Sequence, residues 1–216
     1  LKVIKKSRTG IKGKDNLEMI NNTLDFYNNN SKTYIETTLT IDMSKLYKEF
    51  LNNIPKGGTI LDLGCGSGRD SKAFIDKGYK ITAVDGSKEL AQSASKLIGQ
   101  EVLVSKFEDL SLIDKFHGIW ACGSLLHVNK KDILDVIKNV SSNLNDNGIF
   151  YMSFKYGEDE YIDEKGRYFN CYTEETFNEL INKVEGLKIM KVYKTIDIVP
   201  GRGDITWLNA ICVKES

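Results

Sequence analysis

The chain has 216 residues, 41% of them hydrophobic and 28% charged, enough for one α/β domain with a sizeable core. Basic and acidic side chains number 30 each and cancel, which excludes a global electrostatic attraction to nucleic acid or to an anionic membrane. Four scattered cysteines (Cys65, Cys122, Cys171, Cys212) contain no C-x-x-C pair, so neither a metal site nor a disulfide framework is expected, and a reducing cytoplasm fits. No apolar run approaches the roughly 20 residues that span a bilayer, and the first residues carry no apolar signal segment.

In chain order, the basic residues Lys2, Lys5, Lys6, Arg8, Lys12 and Lys14 precede the first acid, Asp15, and read as a solvated, frayed tail rather than a polyanion-binding arm. Residues 17–27 have helical spacing. The Asn28-Asn29-Asn30 tract reads as a loop, and 34–54 as one amphipathic helical stretch that Pro55-Lys56-Gly57-Gly58 ends. Residues 1–55 are therefore expected to form a tail and cap helices, and 56–216 the main body of a single compact protein.

An alternation begins at residue 59. Strands are expected over 59–63, 79–85, 101–105, 118–122 and 148–155, with helices over 70–77, 87–98, 130–144 and 173–184. Strands over 187–197 and 206–213 follow each other with no helix between them. Repeated strand–helix units imply a parallel sheet with right-handed crossovers. The last two strands can pair antiparallel, which gives a seven-stranded, mostly parallel sheet with one reversed strand near its edge.

The sequence Ile60-Leu61-Asp62-Leu63-Gly64-Cys65-Gly66-Ser67-Gly68-Arg69-Asp70 follows the first strand. Alternating glycines there let the backbone approach a ligand closely, and the next helix presents free N–H groups. A dinucleotide fingerprint reads G-x-G-x-x-G, but Arg69 stands where the third glycine belongs. Asp85 ends the second strand, placed to accept a ribose diol. Glycine spacing and acid together point to an adenosine ligand with no pyrophosphate.

"ILDLGCGSGRD", "ITAVDGS", "FHGIWACGSLLHV" and "LNDNGIFYMSFK", in this order, resemble the motifs of class I S-adenosylmethionine (SAM)-dependent methyltransferases, closest to the tellurite-resistance-type and related small-molecule enzymes. The resemblance implies a Rossmann-like three-layer α/β sandwich with N-terminal helices. It implies that Asp62, Gly64, Cys65 and Gly66 hold the methionine end of SAM, and that Asp85, flanked by Gly86 and Ser87, takes the ribose hydroxyls. Phe107 and Glu108 would border the adenine, Cys122 and Gly123 would face the sulfonium, and Tyr34 would cap the pocket. Lys106 and His117 stand where many relatives carry Asp. At Lys106 the departure bears on the adenine contact, and at His117 on strand packing or core hydrogen bonding.

Methyl transfer needs alignment and exclusion of water more than a catalytic triad, because the cofactor carries the reactive group. His127, just after the fourth strand, is the best candidate base. Tyr156, Arg167 and Arg202 are candidates for holding a small, anionic acceptor, and the long connection 157–172 reads as a lid. Cys122 lacks the preceding proline of a pyrimidine-methylating nucleophile and reads as inert. Nucleic acid or protein is the alternative acceptor, and a SAM-binding module without catalysis the alternative role. A monomer or homodimer is expected.

Overall fold

The computed structural model describes residues 16–199 and 201–216, so the basic run from Lys2 to Lys14 lies outside the described residues. Three helices come first: α1 (Asn16–Asn29), α2 (Ser31–Thr38) and α3 (Ser44–Leu51). The single helical stretch expected over 34–54 is thus divided. Asp42 Oδ1 accepts the Ser44 N–H at 2.9 Å, a local bond that competes with helical pairing and starts α3 afresh.

The alternating part follows as β1 (Thr59–Leu63), α4 (Arg69–Asp76), β2 (Lys80–Asp85), α5 (Lys88–Ile98), β3 (Val102–Val104) and β4 (Phe116–Ala121). A 3₁₀ turn (Leu125–His127), α6 (Ile133–Ser142) and β5 (Leu144–Tyr156) come next. Strands β3, β2, β1, β4 and β5 lie side by side and parallel. On the far side of β5 lies β9 (Thr206–Lys214), antiparallel to it, and then β8 (Leu187–Ile196), antiparallel to β9. The seven expected strands are present, and β9 is the reversed one.

Two further strands, β6 (Glu160–Ile162) and β7 (Tyr168–Tyr172), form a hairpin inside the segment expected to be a long connection. The strand β7 pairs in parallel with Lys155 and Tyr156 of β5. It occupies the edge of β5 that β4 leaves free after Ala121, where the ladder groups of β5 would otherwise lack partners. All five residues of β7 are buried, so the strand shows no alternation in the sequence. Helix α7 (Glu174–Ile181) follows, capped by Thr173.

Helices α6 and α7 cover one face of the sheet, with Ile137, Phe150, Phe154 and Phe177 in the core between them. On the other face Tyr47 and Phe50 of α3 pack with Phe74, Trp120 and Tyr151. A buried carboxylate organises this second core. Asp70 accepts hydrogen bonds from Tyr47 Oη (2.6 Å), Trp120 Nε1 (2.8 Å) and Arg69 Nε (2.6 Å). Burial opposes its ionisation, but the Arg69 guanidinium and these donors hold the carboxyl below its usual range. Asp70 thereby ties α3, α4 and β4 together, and the N-terminal helices are part of the same packed body. His117 also has a structural partner: its Nδ1 accepts the Thr59 N–H at 3.1 Å at the start of β1.

Among the described residues no helix is long and apolar enough to cross a membrane, and no group of three or more His, Cys, Asp or Glu side chains is placed to hold a metal. All four cysteines are free thiols.

Candidate functional site

The parallel strands end together, and the loops after β1, β2, β3 and β4 surround a cavity. Its floor is Gly64, Gly66, Asp85, Gly86, Cys122 and Gly123, and its side wall includes Ser105, Lys106, Phe107 and Glu108. Its roof is one face of α1, made by Ile20, Thr23, Leu24 and Tyr27, with Tyr34 from α2.

The glycines are needed for close approach. Gly64 has φ +82°, and a Cβ there would lie 2.4 Å from Ser124 Cβ. Ser124 stands that close because its Oγ donates to the Leu63 carbonyl at 2.6 Å, clamping the loop after β4 onto the end of β1. At Gly86 a Cβ would meet Leu24 Cδ2 at 2.7 Å, so the same absence lets α1 close over the cavity.

Asp85 is buried at the cavity floor. Its Oδ2 accepts the Gly66 N–H at 2.8 Å and its Oδ1 the Ser87 N–H at 2.8 Å, which orients the carboxylate. Burial pushes its pKa up to about 6, against the pull of these two N–H donors.

Tyr34, Gly64, Gly66, Asp85, Gly86, Phe107, Glu108, Cys122, Gly123 and His127, singled out from the sequence, all reach the cavity wall. Three other expected cofactor residues support it from behind. Asp62 is buried and accepts the Ser71 hydroxyl at 2.6 Å, its carboxyl pushed up by burial and by neighbouring Asp70. Cys65 is buried, and burial raises its thiol pKa. Ser87 caps α5 by accepting the Leu90 N–H (3.3 Å), and donates to Asn28 Oδ1 (2.7 Å) to pin the end of α1. Lys106 lines the wall and donates to Asn21 Oδ1 at 3.1 Å.

His127 is not a free base. Its Nδ1 lies 2.6 Å from the Tyr168 carbonyl, which can only accept, so that nitrogen carries the proton. Its Nε2 therefore accepts, and Tyr27 Oη donates to it at 2.8 Å. Burial lowers the imidazole pKa to about 3, and it is neutral at physiological pH. Burial likewise pushes the Cys122 thiol up to about 12, so it carries no thiolate.

The expected substrate group does not converge on this cavity. Arg167 is bound four residues back by Asp163 Oδ2 (Nη2 2.7 Å, Nε 3.0 Å) in the tight β6–β7 turn, and lies over the Phe26 ring at 4.6 Å. Tyr156 is largely exposed beneath Lys194 Nζ, 4.5 Å from its ring centroid, and Arg202 is exposed in a turn. In each case a nearer structural partner or solvent takes the side chain.

Cap helices are expected from the sequence within residues 1–55, but the α1 roof residues are not singled out, although Ile20, Thr23, Leu24 and Tyr27 stand at i, i+3, i+4 and i+7 and mark one helical face.

Residues 60–148 match a family model described as a methyltransferase domain. An uncharacterized methyltransferase of Staphylococcus carnosus is 25% identical over 175 residues, which is 76% of this chain and 84% of that protein. Among solved structures, the 1,6-didemethyltoxoflavin-N1-methyltransferase of Burkholderia thailandensis, crystallised with 1,6-didemethyltoxoflavin and S-adenosylhomocysteine, superposes with a TM-score of 0.76. It is 18% identical, over 97% of this chain and 95% of that one. A TehB-like SAM-dependent methyltransferase of Corynebacterium glutamicum superposes with a TM-score of 0.63 at 18% identity, over 91% of this chain and 98% of that one. These likenesses establish the Rossmann-like fold, and the segment matched by the family model contains the cavity floor.

Proposed function

We propose that the protein is a SAM-dependent methyltransferase acting on a small-molecule acceptor. The observation that carries this reading is Asp85, an oriented, buried carboxylate at the floor of a glycine-cradled cavity. A carboxylate oxygen has room for two hydrogen bonds, so each oxygen of Asp85 retains capacity for a hydroxyl of a ribose diol beside its backbone donor. Gly64 and Gly86, without side chains, let Ser124 and Leu24 close around the cavity that would hold this ligand.

The bound cofactor supplies a methyl group on a positively charged sulfur, already a good leaving group. The chain's own residues align and enclose. Phe107, Glu108, Cys122 and Gly123 line the cavity. Tyr27 and Tyr34 meet edge to face with centroids 5.3 Å apart, and their electron-rich rings suit a neighbouring cation. The roof of α1 excludes water.

Magnitudes favour alignment over base catalysis. Fixing two reactants in place is worth about 7–11 kcal/mol. A positioned base adds a factor of about 10²–10⁴, and neutral His127 already has its basic nitrogen engaged by Tyr27. An enclosed roof and a chain of no net charge support a small acceptor over a polynucleotide.

Asp85→Ala tests the reading. Removing the diol acceptor is expected to weaken SAM binding by about 2 kcal/mol or more in a variant that still folds. Unchanged affinity would refute it.

A further inference from the structure

Beyond the cofactor cavity, the half-buried cation Lys155 has no carboxylate partner among the described residues. Lys155 stands near the end of β5 and is half-buried. Its Nζ donates to Tyr161 Oη at 2.8 Å and lies 3.5 Å from the centroid of the Phe169 ring. Among the described residues no carboxylate comes within ion-pair distance of it. Arg167, which also faces Phe169, is satisfied by Asp163. A half-buried ammonium resting on a π-face and a phenol is under-compensated, since neither partner carries a full negative charge.

Its position relates it to the chemistry. Phe169 separates Lys155 from His127, whose ring centroid is 5.0 Å from that of Phe169, and His127 lines the cavity. Trp207 is the cross-strand partner of Lys155 and therefore shares its face of the sheet. The Trp207 six-membered ring backs Gly123, a cavity-lining residue expected to face the reactive sulfur, 3.4 Å from where a Cβ would be. The hairpin β6–β7 supplies Tyr161 and Phe169, and only the pairing of β7 with β5 at Lys155 and Tyr156 brings them there.

We propose that Lys155, flanked by Phe169 and Trp207, is the anchor of the acceptor subsite, and that the acceptor carries an anionic oxygen, a carboxylate or a deprotonated hydroxyl. This rests on the methyltransferase reading and names the class of its second substrate. Lys155 offers a cation with no carboxylate partner beside the cavity, whereas Arg167 is held by Asp163. The acceptor's anion neutralises the ammonium, and the aromatic side chains bound the remainder of the molecule.

The test uses the whole chain saturated with S-adenosylhomocysteine and matched probe pairs: benzoate against benzamide, and salicylate against salicylamide. The wild type is expected to bind each anion at least tenfold more tightly than its neutral isostere. Lys155→Met, which keeps the apolar stem, is expected to lose that preference, and Lys155→Arg to retain it. Absence of anion binding, no preference in the wild type, or a preference unchanged in Lys155→Met overturns the proposal. The S-adenosylhomocysteine titration run on each protein separates the two readings. Failure of that ligand to bind the wild type counts against the methyltransferase reading, and the probe pairs then test the subsite on the unliganded chain.

Discussion

The Tyr27 hydroxyl donates to His127 Nε2 at 2.8 Å, although the two residues are 100 positions apart. The bond joins the roof helix α1 to the loop after β4. With Nδ1 held by the Tyr168 carbonyl, it fixes the imidazole as a neutral tautomer across three parts of the chain.

That fixation has a signature in pH. Native His127 stays neutral down to about pH 3, whereas an unfolded imidazole takes up a proton near 6.5. Between those values the unfolded state binds more protons, so this residue's contribution to stability falls as pH falls, by about 1.4 kcal/mol per unit. Asp85 works in the opposite direction: held near 6 in the native state, it favours the fold more at lower pH. Urea unfolding of wild type and His127→Gln at pH 7, 6, 5 and 4 isolates the imidazole. The wild type's advantage should shrink with each step down. A constant difference would mean that His127 is not held neutral.

Asp85 predicts how cofactor binding depends on pH. Diol hydroxyls need the ionised carboxylate, so SAM affinity should be level above pH 7 and fall as pH drops through about 6, approaching tenfold per unit below it. Titration calorimetry at pH 5, 6, 7 and 8 reads this directly. A flat profile would place the diol elsewhere.

The ion Asp70 is structural and outside the cavity wall. Asp70→Asn removes the counter-charge of half-buried Arg69 and weakens the acceptor for Tyr47 and Trp120. Breaking such a buried pair from one side costs about 3–5 kcal/mol. Chemical denaturation should show that loss, with quenched or shifted Trp120 fluorescence in the folded variant. A loss below about 1 kcal/mol would mean the site is hydrated.

The two cradle glycines should differ. Gly64→Ala combines a left-handed φ with a collision against Ser124, which the Leu63 carbonyl holds in place, and should cost about 3 kcal/mol or more. Gly86→Ala meets only the tip of Leu24, which can turn aside, so its cost to folding should be smaller while α1 is displaced. Thermal melts of the two variants, ranked, check this.

Much of this architecture is legible in the sequence. Strands β1 to β5 and their helices announce themselves by short apolar runs punctuated by glycines, and the loop from Gly64 to Gly68 and Asp85 locate the cavity. The elements that escape do so for physical reasons. The strand β7 is buried throughout and shows no alternation. The break between α2 and α3 depends on one Asp42 side-chain bond. Arg167 has the residue type of an anion clamp, but Asp163 four residues earlier captures it. The surroundings of Lys155, with no carboxylate partner among the described residues, appear only when β7 is laid beside β5.

The central claim is tested most directly by calorimetric titration of the purified chain with SAM, S-adenosylhomocysteine and NADH. Micromolar binding of the first two and none of the third is the expected result. Binding of NADH, or of none of the three, would contradict the reading of the glycine cradle and Asp85 as a SAM site.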